Sequence, residues 1–265
     1  PLSHASATPG TVILESPTRV AVPALVHDGW AADFPWLVQG TTTRGSEAGG
    51  FDLRLFGPAP AGEVLDRWRA LADALDMRGV VHARQVHGAR VHLHGEAHDG
   101  LRLASPADGH ATRSPGLLLT VGTADCVPVF LVDPATRWVA VVHAGWRGTA
   151  AGILEAAVEL FRQRAGIPPE RLHLHLGPAI CGNCYEVGPE VHRALGLPEP
   201  RVPTPIDLRA VLSRRGGAAG VVPGKITRSG HCTKCGPGPF YSHRGGDAGR
   251  QVGFMGVRET AGDVR

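Results

Sequence analysis

Lysine is almost missing. Only Lys225 and Lys234 occur in 265 residues, so nearly all of the 27 basic side chains are arginines, a composition suited to bidentate anion contacts and equally expected from a GC-rich genome. They are set against 24 acidic residues, a formal net charge of +3, with no basic stripe or Lys/Arg block, and no nucleic-acid partner is expected. No apolar run approaches the roughly 18 residues of a membrane span, so a membrane partner is not expected either. The segment PLSHASATPG has neither a basic n-region nor an apolar h-region, which makes the cytoplasm the expected location. Glycine patterns of the Walker or dinucleotide-binding type, internal repeats and low-complexity tracts are lacking. Cysteine is scarce: five residues, a number that in a cytoplasmic chain points to metal binding, catalysis or simple burial rather than disulfides.

What is present supports one sizeable core, since 43% of the residues are hydrophobic and 19% charged. Residues 1 to about 25, rich in Pro, Ser, Thr and Ala, read as a loosely ordered arm, and 26–265 as a single domain. Glu63 to Leu75 places Val64, Leu65, Trp68, Leu71 and Leu75 on one helical face, and Ile153, Leu154, Ala157, Val158 and Phe161 repeat the pattern. LLLTVG, VPVFLVD and WVAVVHA read as buried strands, and RLHLHLG alternates with leucines on one side. A weaker helix is expected over Asp207 to Arg215 and a final strand in RQVGFMGV. The class is α/β (α+β) with a mixed sheet.

Three residues at the ends of such runs carry chemistry. Cys126 lies in GTADCVPVF between two apolar runs, while His87 in RQVHGARV and His143 in HAGWRG each end a strand-like run beside a glycine. One thiol and two imidazoles form the kind of three-ligand set that leaves zinc a fourth, open position, although their wide separation matches no compact zinc signature. A buried thiol and structural histidines are the alternative. The other cysteines pair as Cys181 with Cys184 and Cys232 with Cys235. This CxxC…CxxC pattern has a gap far longer than the roughly 15–20 residues of compact zinc ribbons, so a second metal site and buried thiols at turns both stay open.

RQVHG, TADCVPVFLVD, HAGWRGTAAGI, GPAICGNCYEVGPEV and HCTKC…FYSHRGG…GRQVG follow one another in an order that resembles the laccase-like domain family. Its members were first described as multicopper polyphenol oxidases and are now regarded as purine nucleoside phosphorylases, several with adenosine deaminase activity. The resemblance spans about Trp30 to Val257. It implies a single domain layered αββα, a zinc on His87, Cys126 and His143, and purine nucleosides with inorganic phosphate as substrates. Adenosine, inosine and, by extension, guanosine and methylthioadenosine would be attacked by phosphate at the anomeric carbon. In deamination, a water acidified by the metal to a pKa of roughly 7 would attack C6 of adenine. Two departures stand out. Asp52-Leu53 replaces a usual Asn-Leu, and YSHRGG replaces a segment with two adjacent arginines, leaving Arg244 alone.

In VVHAGWRGTAAG the glycines allow close backbone approach, and Arg147 with a helix beginning near Thr149 makes a plausible phosphate cradle. Trp146 either stacks on the purine or packs. Arg44 in TTTRG and Arg244 are further anion candidates. Asp125, beside Cys126, is the nearest acid, either a partner or proton carrier for the site or a buried paired aspartate. Two rival chemistries remain: copper oxidation of phenols, for which the only H-x-H pairs are His92 with His94 and His173 with His175, expected to face solvent, and a hydrolase with Cys126 as nucleophile and His143 as base.

Overall fold

The apolar runs Val127–Asp133 and Trp138–Ala144 pair as an antiparallel hairpin in which every strand residue is buried, so both faces of this hairpin must be covered. Alternate side chains go opposite ways. Val129, Leu131, Ala140 and Val142 pack under the helices Ile153–Ala165 and Leu208–Ala218. Phe130, Val132, Val139 and Val141 meet Leu117, Leu119, Val121, Met255 and Val257 of a second sheet. On the far side of that sheet, Val64, Trp68 and Leu71 of the helix Ala61–Ala74 cover Val80, Leu118 and Phe254. The layers are therefore helix, sheet, sheet, helix, in a computed structural model that describes residues 10–46, 50–55, 57, 59–236 and 238–259.

Among the described residues each of these two sheets has seven strands and mixes parallel with antiparallel neighbours, and Glu186–Val187 pairs with Thr204–Pro205 in a separate two-stranded sheet. In the first, Thr11–Ile13, Ile226–Ser229, His173–Leu176, Val127–Asp133, Trp138–Ala144, Gly109–Thr112 and Val91–His94 lie side by side. In the second the order is Ser16–Pro17, Ala24–Val26, Leu37–Thr42, Gln251–Val257, Leu117–Thr123, Gly79–Ala83 and Gly100–Ala104.

Three expectations are corrected. Part of the loosely ordered arm, residues 1–9, lies outside the described residues, but from Thr11 onward the segment is tied in. Thr11–Ile13 pairs with Ile226–Ser229, and the buried Glu15 carboxylate lies 3.0 Å from His175 Nε2 and accepts a 2.7 Å hydrogen bond from Ser229 Oγ. Pro and Ser content hid the strand Thr11–Ile13 because its partner lies some two hundred residues away. His175 does not face solvent: it is fully buried and stacks on Phe130. The helix expected near Thr149 begins earlier, as Trp146–Ala150, and is separated from Ile153–Ala165 by Gly152 in the left-handed region at φ +83°.

Candidate active site

Strand register brings the first two candidate ligands together. Val127 pairs with Ala144 and Pro128 with His143, so Cys126, entering one strand, and His143, near the end of the other, become neighbours. His87 arrives from the loop after Gly79–Ala83 with φ +58°, a conformation an L-residue adopts only when held there. What holds it is Asp108. This carboxylate accepts the backbone N–H groups of Val86, His87 and Gly88 at 3.1, 2.8 and 2.8 Å, and its Oδ1 lies 3.0 Å from His143 Nδ1. Its own burial opposes ionisation, but the bonds to His143, Gly88 and Val86 outweigh that and keep its pKa below the ordinary carboxylate value. Asp108 therefore positions both imidazoles.

The ligand atoms of His87, Cys126 and His143 lie within 4.8 Å of one another, with His143 buried, Cys126 half-buried and His87 exposed. Burial works against charge on Cys126, yet the two imidazoles prevail and lower its pKa to about 6. Burial likewise works against charge on His143, but Cys126 and Asp108 raise its pKa to about 9. The group fits a zinc ion: it offers two imidazole nitrogens and one readily ionised thiol, the His143 ring is oriented by a carboxylate, and the exposed side leaves a coordination position open. Gly145 completes the enclosure, since a Cβ there would stand 2.9 Å from Cys126 Sγ and 3.2 Å from His87 Cδ2.

Two cavities meet on these side chains and share His87, Ala124, Cys126 and His243. One, of about 480 Å³, is lined by Arg54, Arg84, Arg250, His82 and Gln85. The other, of about 380 Å³, takes in Asp125, Trp146, Arg147, Tyr185 and Arg244. Both are of small-molecule size. A larger cavity of about 790 Å³ includes Arg44 but none of the three ligand-type residues. Arg44 is paired with Asp247 at 2.6 Å and lies over the Tyr241 ring, so the structure does not bring it to this site.

The remaining candidates have defined partners. Arg147 is exposed, with its guanidinium 4.3 Å above the Trp146 ring, and Trp146 also packs on the core. Arg244 donates to the carbonyl of Glu186 and lies over Tyr185. Asp125 is buried, and its two oxygens accept Thr233 Oγ1–H at 2.6 Å and Arg244 N–H at 2.7 Å. Asp52 accepts the N–H groups of Arg54 and Arg250 through Oδ1, a role the oxygen of an asparagine would also fill. Sequence reasoning missed Asp108, Tyr185, His243 and the arginines at 54, 84 and 250. For Asp108 the only local signal was an acid directly before the strand Gly109–Thr112, all of whose residues are buried. Elsewhere, the sulfurs of Cys181, Cys184, Cys232 and Cys235 also converge within 4.8 Å, so two groups among the described residues could hold a metal.

The sequence and the fold have counterparts among known proteins. The chain is 37% identical to adenosine deaminase RL5 from an unknown prokaryotic organism, over 80% of its length and 91% of the relative's. It is 35% identical to purine nucleoside phosphorylase YlmD of Geobacillus stearothermophilus, over 87% and 95% of the two chains. The crystal structure of YlmD from that organism superposes with a TM-score of 0.81 over 92% of this chain and 100% of that one, at 30% identity. That of the Bacillus licheniformis hypothetical protein YfiH gives 0.80 over 90% and 97%, at 29% identity. Residues 57–258 match the family model described as multi-copper polyphenol oxidoreductase laccase, and the chain belongs to that family.

Proposed function

We propose that the protein is a zinc-dependent purine nucleoside phosphorylase with an accompanying adenosine deaminase activity. The observation that carries this reading is the His87, Cys126 and His143 group at the junction of two small-molecule cavities. The names of relatives aligned over most of both chains supply the substrate class. When bound, zinc supplies a Lewis acid and a means of lowering the pKa of a water. In phosphorolysis, a phosphate oxygen forms a bond to the anomeric carbon while the bond from that carbon to the purine nitrogen breaks. The free base and ribose 1-phosphate result. Arg147 and Arg244 hold the anion, Trp146 and Tyr185 flank the base, and Asp125 positions the Arg244 loop through the hydrogen bonds that its two oxygens accept.

One arrangement favours a rival. Cys126, His143 and Asp108 stand in line as nucleophile, base and orienting acid, the layout of a cysteine hydrolase. That layout has no use for a second imidazole on the thiol, yet Asp108 spends three hydrogen bonds holding His87 in a left-handed conformation. Copper oxidation of phenols is less well supported. It requires several coupled coppers, and the other metal-type group among the described residues is all cysteine, with no histidine.

Adenosine and inosine incubated anaerobically, with and without phosphate, separate the readings. The expected result is phosphate-dependent release of adenine and hypoxanthine, with slower phosphate-independent conversion of adenosine to inosine. Cys126→Ala is expected to abolish both. Arg147→Ala is expected to raise the KM for phosphate more than that for nucleoside, by the roughly 1.5–3 kcal/mol of a hydrogen bond to a charged group. Equal base release without phosphate would point to a hydrolase, and no nucleoside turnover by zinc-loaded protein would end the proposal.

A further inference from the structure

The second cysteine group is built from two loops that belong to different parts of the chain. Ala179 and Cys232 form a parallel bridge, which sets the CGNC turn after His173–Leu176 beside the CTKC turn after Ile226–Ser229. In the CTKC turn the chain curls round its first sulfur. The N–H groups of Lys234 and Cys235 donate to Cys232 Sγ at 3.4 Å each, and the N–H of Cys181 reaches the same sulfur from the other loop at 3.3 Å. Three backbone donors from both loops thus converge on one buried sulfur.

The sulfur positions fit one ion. Cys181 Sγ and Cys235 Sγ are 3.7 Å apart, and a tetrahedron with Zn–S bonds of about 2.3 Å has edges of about 3.8 Å. All four sulfurs lie within 4.8 Å of one another. Positive charge is at hand: Arg209 is buried and anchored on the carbonyls of Ser229 and His231, just before Cys232, and Lys234 lies between two of the cysteines. We propose that Cys181, Cys184, Cys232 and Cys235 hold a structural zinc ion, four-coordinate and closed, separate from the His87, Cys126 and His143 group. This clasp reaches the cavity through two residues. Thr233, between the ligands, donates to Asp125 next to Cys126, and Tyr185, directly after Cys184, lines the cavity. A metal here thus fixes the loops that complete the site without taking part in its chemistry.

Metal analysis of purified protein, with cobalt(II)-reconstituted protein examined by absorption spectroscopy, tests the assignment. Wild type is expected to hold about two zinc ions per chain, and Cys126→Ala and Cys235→Ser about one each. Cys235→His, which keeps a nitrogen ligand in place of the sulfur, is expected to return to two with a higher Tm than Cys235→Ser. Cys235 is exposed, so its serine variant removes a ligand rather than core packing. The cobalt-loaded wild type is expected to show the intense thiolate charge-transfer and tetrahedral ligand-field bands of a four-sulfur site, and Cys235→Ser to lose them. Unchanged zinc content in Cys235→Ser would overturn the proposal, as would one zinc in wild type that disappears in Cys126→Ala. These measurements use no nucleoside, so failure of the phosphorylase reading would leave their outcome unaffected.

Discussion

Asp108 ties the His87 loop to His143 at the candidate site, and it does so without facing either cavity. It accepts from three consecutive backbone N–H groups and touches His143, so Asp108→Asn removes the charge that draws these donors together. Loss of a charge-assisted buried acceptor is expected to cost about 1–3 kcal/mol of stability. Because His87 would no longer be held at its left-handed φ, zinc affinity at the His/Cys/His group is expected to fall by about 10–100-fold, measured by chelator competition in a Cys235→Ser background. Unchanged affinity would remove Asp108 from its positioning role. The three ligand-type residues were legible in the sequence because each ends or adjoins an apolar run, where strand ends collect. Asp108 was not, since its importance depends on which loop lies over the strand that follows it. The same distinction explains Arg44: a conspicuous arginine in a turn, but in space committed to Asp247.

The elements divide in the same way. Val127–Asp133, Trp138–Ala144 and the helices Ala61–Ala74 and Ile153–Ala165 could be read from periodicity, because each presents its apolar residues at the spacing of a strand or helix. Ser16–Pro17 and Ala24–Val26 could not, since two- and three-residue strands have no period to detect and exist only through their neighbours. Glycines at element ends test how closely these pieces fit. Gly145 caps the helix Trp146–Ala150 at φ −79°, a value alanine adopts freely, so Gly145→Ala carries no backbone strain. Its added methyl would press on Cys126 Sγ at 2.9 Å. The variant is therefore expected to keep its fold while losing zinc at that group and nucleoside turnover. Gly217→Ala, where nothing lies within 4 Å of the new carbon, is expected to leave activity alone and to stabilise the helix Leu208–Ala218 by about 0.5–1 kcal/mol in urea unfolding. If Gly145→Ala bound zinc as wild type does, the tight enclosure of the ligands would be wrong.

Across the whole molecule, histidines withdrawn from water make the fold sensitive to acid. Burial pushes His82 down to about 4, and burial together with the neighbouring His175 does the same to His27. The unfolded chain protonates these rings near pH 6.5 while the folded one keeps them neutral, so between about pH 6.5 and 4 the unfolded state binds more protons. The stability they contribute is complete above pH 6.5 and is lost as the pH falls towards 4, at up to about 1.4 kcal/mol per pH unit for each ring. Urea midpoints measured at pH 7, 6 and 5 are expected to fall in that order and to fall less in His82→Gln, which cannot titrate; equal midpoints at pH 7 and 5 would refute the account. Two helical patterns and the apolar strands were legible in the residues and the layering was implied by the family resemblance, whereas the position of Gln251–Val257 was not legible. That late segment lies between Leu37–Thr42 and Leu117–Thr123, in the middle of its sheet rather than at the edge. The order of synthesis then matters. Until residue 257 has left the ribosome, both neighbouring strands show open edges, and Glu15 waits for Ser229. Closure of that sheet therefore carries a large loop-closure entropy, and the chain that has not yet added this strand, rather than the finished fold, is the species most exposed to aggregation and most in need of a chaperone.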